Sequence, residues 1–371
     1  MSISSIITDG KIFHERCRRA KAIWAHMKHD IKACHDLGVT IPSLTKEQRQ
    51  MVDEVWKGIH VDDIWFAYYN LFNEEGRAWT PLYFPGNLFF SIVDMKYNDY
   101  WGALTIEDKN FNSLFFYDVK QPITVARNIG GGVLDENYKI ISINELHDRL
   151  SPDCSYVAKP SIGTGSGRGV LIYKAGETEK FDEFVKYVDS FKNCIVQRFA
   201  TQHEQIASIY PNSINTIRMM TFFHNGEAKE LSTIVRMGAG GNRVDNATAG
   251  GLYVGVDKTG NLKKVAYNYS GEKFECHPTT GVLFKGHYVP NFDKVVKLAE
   301  TLHNRLVNFS KLISWDFAID AEGDPLLIEK NLSMSGLSFH QQCNGPVFGD
   351  MTQEIIAEVF DKKARLLSRV L

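Results

Sequence analysis

The sequence predicts an α+β protein that begins with a helical region. Three observations predict this. Apolar residues recur at spacings of four and three through residues 11–36, strand and helix periodicities alternate around a glycine-rich loop at residues 155–200, and the chain beyond residue 213 reads as hairpins.

The first element carries Phe13, Cys17, Ala20, Trp24, Met27, Ile31 and Cys34 on one face, with Arg16, Arg19, Lys21, Lys28 and Lys32 mostly elsewhere, as in an amphipathic helix. Beyond the breakers Gly38 and Pro42, Thr45 and Gln48 have the spacing of a capping box, and a further helix is predicted from Asp62 or Asp63 to Phe72. From about residue 79 to 138 the aromatic segments between Pro81, Pro85, Pro122 and Gly130-Gly131-Gly132 read as strands and connections of an α/β domain. Next come strand YVAKP, loop SIGTGSGRG, strand VLIYK, helix FDEFVKYVDSF and strand CIVQRF. Helices near residues 291–308 and from Thr352 close the chain. The division read from this order is 1–75 helical, 76–150 α/β, 151–200 around the glycine loop and 201–371 with the later hairpins and helices.

Composition bounds the function. With 44% hydrophobic and 23% charged residues and a net charge of −2, the chain is a folded globule without the basic surplus of a dedicated nucleic-acid or membrane-surface protein. The six cysteines form no CxxC pair, and no apolar run reaches the ~18 residues of a membrane span. With a start that lacks a secretory pattern, these features lead to the expectation of a cytoplasmic protein. They leave the oligomeric state open.

Alternate glycines in the run from Ser161 to Gly169 let backbone N–H groups close around anionic oxygens, so the loop is a candidate phosphate cradle. It is neither GxxxxGK[ST] nor GxGxxG, and it leads into a strand rather than a helix, which sets aside the P-loop and Rossmann readings. A protein kinase places its lysine after such a loop, whereas Lys159 precedes this one.

The segment WDFAIDAEGDPLLIEKN reads as a hairpin turning at Glu322-Gly323, with Trp315, Phe317, Ile319, Leu326 and Ile328 on its apolar face. Asp316 then lies directly opposite Glu329, and Asn331 follows on the same face. Opposed Cβ atoms stand about 4.5–5.5 Å apart, a separation at which like charges repel. A divalent cation reverses the sign, and two carboxylates with an amide oxygen suit Mg2+.

A second hairpin turns at His224-Asn225-Gly226-Glu227. A two-residue loop would send Arg218 and Arg236 to opposite faces, and a three-residue loop ending at Gly226 would place both on one face. We read the three-residue loop, which lets the pair grip phosphate oxygens together.

A lysine before a glycine loop, a strand ending VQRF, spaced arginines and a terminal D…ExN hairpin together resemble the ATP-grasp superfamily. NSINTIRMMT, RMGAGGNRVDNATAGG, HPTTG and WDFAID…LLIEKN are similar to its sugar-transfer-associated group, found with polysaccharide biosynthesis genes. The resemblance implies an ATP-grasp fold, two α+β subdomains holding ATP between them, with the helical region as an N-terminal extension. It implies that Lys159 contacts phosphates and that Ser161, Gly163, Thr164, Gly165, Ser166 and Gly167 close over them. Gln197, Arg198 and Phe199 would receive adenine, and Asp316, Glu329 and Asn331 would hold magnesium. Lys109 would also reach phosphate, and Glu204 is either a ribose contact in place of the usual hinge acid or a surface residue.

What the resemblance implies for chemistry is a carboxylate–amine ligase with ATP and Mg2+ as cofactors. A carboxylate attacks the γ-phosphate, and an amine displaces phosphate from the acyl phosphate, with Lys159, Arg218 and Arg236 as catalytic residues. Asn215, Arg243, Asn246 and His277 would border the small-molecule substrates, His277 as a base or as a brace for its loop. The product would be a precursor of an envelope polysaccharide. A small-molecule kinase and a non-catalytic nucleotide-binding scaffold are the alternatives.

Overall fold

A computed structural model describes residues 3–74, 77–163, 168–246 and 250–371, with side chains from residue 10 onward. Alternation of apolar and polar residues gives two antiparallel sheets. The first contains β1 (Thr124–Ile129), β2 (Gly132–Asp135), β3 (Tyr156–Pro160), β4 (Leu171–Tyr173) and β5 (Cys194–Arg198), in the order β2-β1-β5-β3-β4. Helix Phe181–Ser190 covers it with Phe181, Phe184, Val185 and Val188, a stripe at helical spacing. The division read at residue 150 runs through this sheet, because β1 pairs with β5. Periodicity cannot reveal which strands share a ladder.

The second sheet contains β6 (Thr216–His224), β7 (Glu227–Met237), β8 (Leu252–Val256), β9 (Leu262–Asn268), β10 (Lys273–Phe274), β11 (Leu312–Ile319) and β12 (Pro325–Asn331). Their order is β10-β9-β8-β7-β6-β11-β12. Because side chains alternate along a strand, one face carries Ile217, Met219, Val235, Ile313 and Trp315 and packs on helix Phe292–Leu306. The opposite face carries Met220, Phe222, Ile234 and Leu312 and packs against the N-terminal helices and the C-terminal helix Thr352–Val359.

Helix Ile3–Asp36 therefore does not trail from the molecule. Its Arg19, only 2% exposed, pairs with Asp94 and with Glu15 at 2.9 Å, and donates to Ser333 Oγ at 2.9 Å, just past the end of β12. Removing one partner from such a buried ionic set typically costs about 3–5 kcal/mol. Thr45 and Gln48 form the expected capping box. Between residues 86 and 116 the expected strands are absent among the described residues; short helical segments replace them. Buried Leu88, Phe89, Phe90, Ile92 and Val93 there form a compact apolar run, which periodicity alone cannot distinguish from a strand.

Candidate active site

Both hairpins reach the expected side-chain arrangement by unexpected routes. The β6–β7 turn has two residues, with His224 paired to Glu227 and with Asn225 and Gly226 at φ of 51° and 88°. This corrects the three-residue reading; both positive φ values suit the primed turn that matches strand twist. The pairing then shifts between Met220 and Thr221, so Thr216 faces Arg236 and Arg218 faces Ile234. That bulge, with Leu231 as the extra residue, returns Arg218 and Arg236 to one face.

In β11–β12 the chain turns through Asp320–Asp324, with Gly323 N–H donating to Asp320 O, rather than at Glu322-Gly323 alone. Phe317 pairs with Leu327, and a shift next to Asp316 makes Asp316 face Glu329. Leu327 takes the core position read for Ile328, and Ile328 instead lines the interior space.

That space is a cavity of about 440 Å³ between the two sheets and the N-terminal helices, with Lys109, Lys159, Arg218, Arg236, Asp316 and Glu329 in its wall. Beside it lies an apolar slot of about 140 Å³, walled by Val157, Ile172, Phe199, Ile214 and Ile328. Gln197, Arg198 and Arg243 border the slot, and Lys159, Val170, Thr216 and Asp245 line both spaces. The backbone N–H groups of Arg198 and Phe199 donate to Ile123 O and Ser155 O at 2.8 and 3.0 Å, so these two donors are spent within the fold.

Charges are paired tightly. Arg218 donates through Nε and Nη2 to the two Asp316 oxygens at 2.8 and 2.6 Å. Lys109 Nζ lies 3.0 Å from Glu329, and Arg236 lies 3.7 Å from Asp316 and 3.5 Å from Asp245. Burial works against the charge on Glu329, yet Lys109, Lys159 and Arg218 hold its carboxyl far below the usual range. Burial raises Asp316 instead. Lys159 is pushed down by burial to about 8, whereas Glu329 keeps Lys109 above its ordinary value despite burial. Arg236 Nε, Asp245 Oδ2 and Ser161 Oγ are buried without a hydrogen-bond partner.

The residues present fit a magnesium ion. Asp316 and Glu329 face each other from paired strands, and Asn331 Nδ2 donates to Ser314 O at 3.3 Å, which leaves the carboxamide oxygen as its ligating atom. Among the described residues no group of three or more His, Cys, Asp or Glu could hold a metal. Two carboxylates and an amide match a cation that completes its shell with water and phosphate.

Several expected site residues stand elsewhere. Glu204 is exposed on a short helix and lines neither space, which removes the ribose role. Asn215 is buried and donates to Ile206 O and Tyr210 O at 2.7 and 3.1 Å, so it braces a loop rather than facing substrate. His277 is fully buried, joined to Gly238 O at 2.8 Å, and accepts at Nδ1 from Thr279 N–H at 3.2 Å. Burial lowers its pKa, and it lies outside both spaces, so it is a brace rather than a base towards an amine. Asn246 does line the cavity. Ser161 and Gly163 open the glycine loop, while Thr164, Gly165, Ser166 and Gly167 lie outside the described residues. Lys109 N–H donates to Ser161 O at 2.9 Å, tying the first lysine to the loop.

Sequence reasoning missed the contribution of the N-terminal helices, whose Met27, Asp30, Trp65 and Tyr68 line the same cavity. A signal existed. Met27, Asp30 and Cys34 continue one helical stripe, so an acid interrupts the apolar face.

A cleft between two antiparallel sheets, with lysines on one side and a carboxylate–amide set on the other, defines the ATP-grasp class. The chain belongs to the sugar-transfer associated ATP-grasp family, whose model matches residues 93–357. The helices before residue 93 lie outside that match. Among solved structures, phosphoribosylamine–glycine ligase from Thermotoga maritima is similar at 14% identity and a TM-score of 0.44, over 71% of this chain and 57% of that one. D-alanyl-alanine synthetase A from Vibrio cholerae is similar at 14% identity and 0.40, over 71% and 65%. L-amino acid ligase from Bacillus licheniformis is similar at 13% and 0.39, over 70% and 49%. The chain thus spans about half to two thirds of the length of these proteins. No curated protein matches it.

Proposed function

We propose that the protein is an ATP- and magnesium-dependent ligase that joins a carboxylate to an amine through an acyl phosphate. The observation that carries this reading is the convergence of Lys109, Lys159, Arg218, Arg236, Asp316 and Glu329 on one cavity that adjoins an apolar slot of about 140 Å³. The slot takes the base between Val157, Ile172 and Ile328, and Gln197 Oε1, buried without a partner, is available to the adenine amino group. Lys109 and Lys159 meet the phosphates, and Ser161 Oγ stands ready as a further donor. Asp316, Glu329 and Asn331 would hold magnesium, which when bound neutralises phosphate charge.

A substrate carboxylate attacks the γ-phosphorus, giving an acyl phosphate and ADP; an amine that has given its ammonium proton to solvent then attacks the acyl carbon, phosphate departs with the C–O electron pair, and the surplus proton on nitrogen passes to the departing phosphate. Arg218 and Arg236 steady the oxygens that gain charge in both steps. The glycine loop excludes water from the reactive acyl phosphate. The family's sugar-transfer description makes carboxylated sugars the first acids to try. Free cysteines and the need for ATP agree with a cytoplasmic setting.

The test is ADP release with a panel of carboxylates, with and without amines, while hydroxylamine traps any acyl phosphate as a hydroxamate. Hydroxamate formation with one acid supports the ligase. ADP release with a stable phosphorylated alcohol would replace it with a kinase.

A further inference from the structure

The cavity has a second character on its N-terminal side. Its acids near β6, β7, β11 and β12 each have a cationic partner: Asp316 has Arg218, Glu329 has Lys109, and Asp245 has Arg236 at 3.5 Å. Asp30 does not. Its Oδ1 is buried without a hydrogen bond, its side chain is 13% exposed, and the nearest basic atom is Nδ1 of the exposed His29 at 3.6 Å. Among the described residues the N-terminal helices add His26 but no lysine or arginine to the cavity wall.

Around this acid the wall is aromatic. Trp65, Tyr68, Tyr69, Phe90, Tyr269 and Phe339 all line the cavity. The hydroxyls of Tyr68 and Tyr69 are occupied as acceptors, from Gln342 Nε2 at 3.0 Å and Gln341 Nε2 at 2.8 Å. Tyr269 Oη bonds His26 Nδ1 at 2.9 Å. Tyr68 and Tyr69 keep their O–H protons as donors and Trp65 Nε1 is buried without a partner, so the wall offers a ligand ring surface and a few donors. Ring faces around a lone carboxylate attract a cation, because the quadrupole and the charge act in the same direction. Burial raises the Asp30 carboxyl to about 7.

We propose that this side of the cavity is the acceptor site, in which Asp30 binds the ammonium group of a primary-amine substrate and the aromatic rings of Trp65, Tyr68 and Tyr269 enclose it. The assignment rests on the ligase reading and names its second substrate as cationic. It also gives the helices outside the family match a function: they choose the amine. Arg19, which bridges helix Ile3–Asp36 to Ser333, holds this wall in register with Asn331.

The experiment is calorimetric titration of the full chain, with ADP and MgCl2 present, using n-butylammonium chloride and, separately, n-butanol and sodium butyrate. Butylammonium binds saturably to the wild type. Asp30→Asn, which is isosteric and removes an unpaired buried charge, weakens it by roughly 10-fold or more. Tyr269→Leu weakens it by roughly 3-fold or more. Absence of saturable butylammonium binding, equal affinity in Asp30→Asn, or equally tight butanol or butyrate overturns the assignment. The hydroxamate assay on the wild type is independent of this titration: hydroxamate with unchanged Asp30→Asn affinity removes the amine pocket and leaves the ligase. Asp30-dependent amine binding without any hydroxamate removes the ligase and leaves a cation site.

Discussion

Arg218 and Asp316 are directly paired across β6 and β11 and joined by two hydrogen bonds, so the carboxylate expected to hold magnesium is already held by a guanidinium. The side chains are 13% and 4% exposed, which makes this a buried ion pair. Its removal on one side leaves a charge without compensation. Arg218→Met should therefore destabilise the nucleotide-free protein by about 3–5 kcal/mol in urea unfolding. An unchanged midpoint would mean that Asp316 finds its compensation elsewhere.

Glu329 faces the opposite problem, since Lys109 is its direct partner and Asp316 its neighbour. Glu329→Gln keeps the shape but takes the carboxylate from Lys109, so a folded protein of reduced stability is expected, to be checked by circular dichroism beside the assay. ATP turnover should fall by at least about 10²-fold, and nucleotide binding should lose most of its dependence on MgCl2. Full activity in this variant would remove Glu329 from the cation site.

Lys159 supplies a pH dependence. Burial brings it down to about 8, with Glu329 opposing and Lys109 acting with burial. An unfolded lysine titrates near ~10.4, so between about 8 and ~10 the unfolded chain binds more protons than the native one. This group therefore lets the nucleotide-free protein gain stability as pH rises through that window. Phosphate binds the protonated form, so MgATP affinity is full below about 8 and declines above it. The melting-temperature increase caused by MgATP should shrink between about pH 8 and ~10, and Lys159→Gln should flatten that trend. A constant increase across the range would show that Lys159 keeps its proton.

His277 is held by Gly238 O and by the N–H of Thr279. His277→Ala should cost about 1–3 kcal/mol of stability by leaving these buried groups unpaired. The pH profile of turnover should keep its shape. Loss of one limb of that profile would restore a proton-transfer role.

Gly226 sits at φ +88° in the two-residue turn. Gly226→Ala should cost about 1–2 kcal/mol because Cβ is disfavoured there, with nucleotide affinity unchanged. A neutral substitution would argue for a different loop.

The elements themselves were legible where periodicity was strong and punctuation clear, as in helix Phe181–Ser190 and the capping box at Thr45. The facing of Asp316 and Glu329 was anticipated too, but a shift next to Asp316, and not the turn, sets that register. Sequence by itself determined which residue types were available for the chemistry: Lys109, Lys159, the arginines and the acid–amide set. Their spacing also specified the family. Tertiary structure alone decided how they meet. A bulge restored Arg218 and Arg236 to one face after a turn that would have parted them, and His277, Asn215 and Glu204 turned away from the cavity. It also brought Asp30 from the N-terminal helix to a cavity lined by strands hundreds of residues later. The physical reason is that local pattern encodes periodicity, whereas bulges, sheet partners and helix docking minimise free energy across contacts distant in the chain.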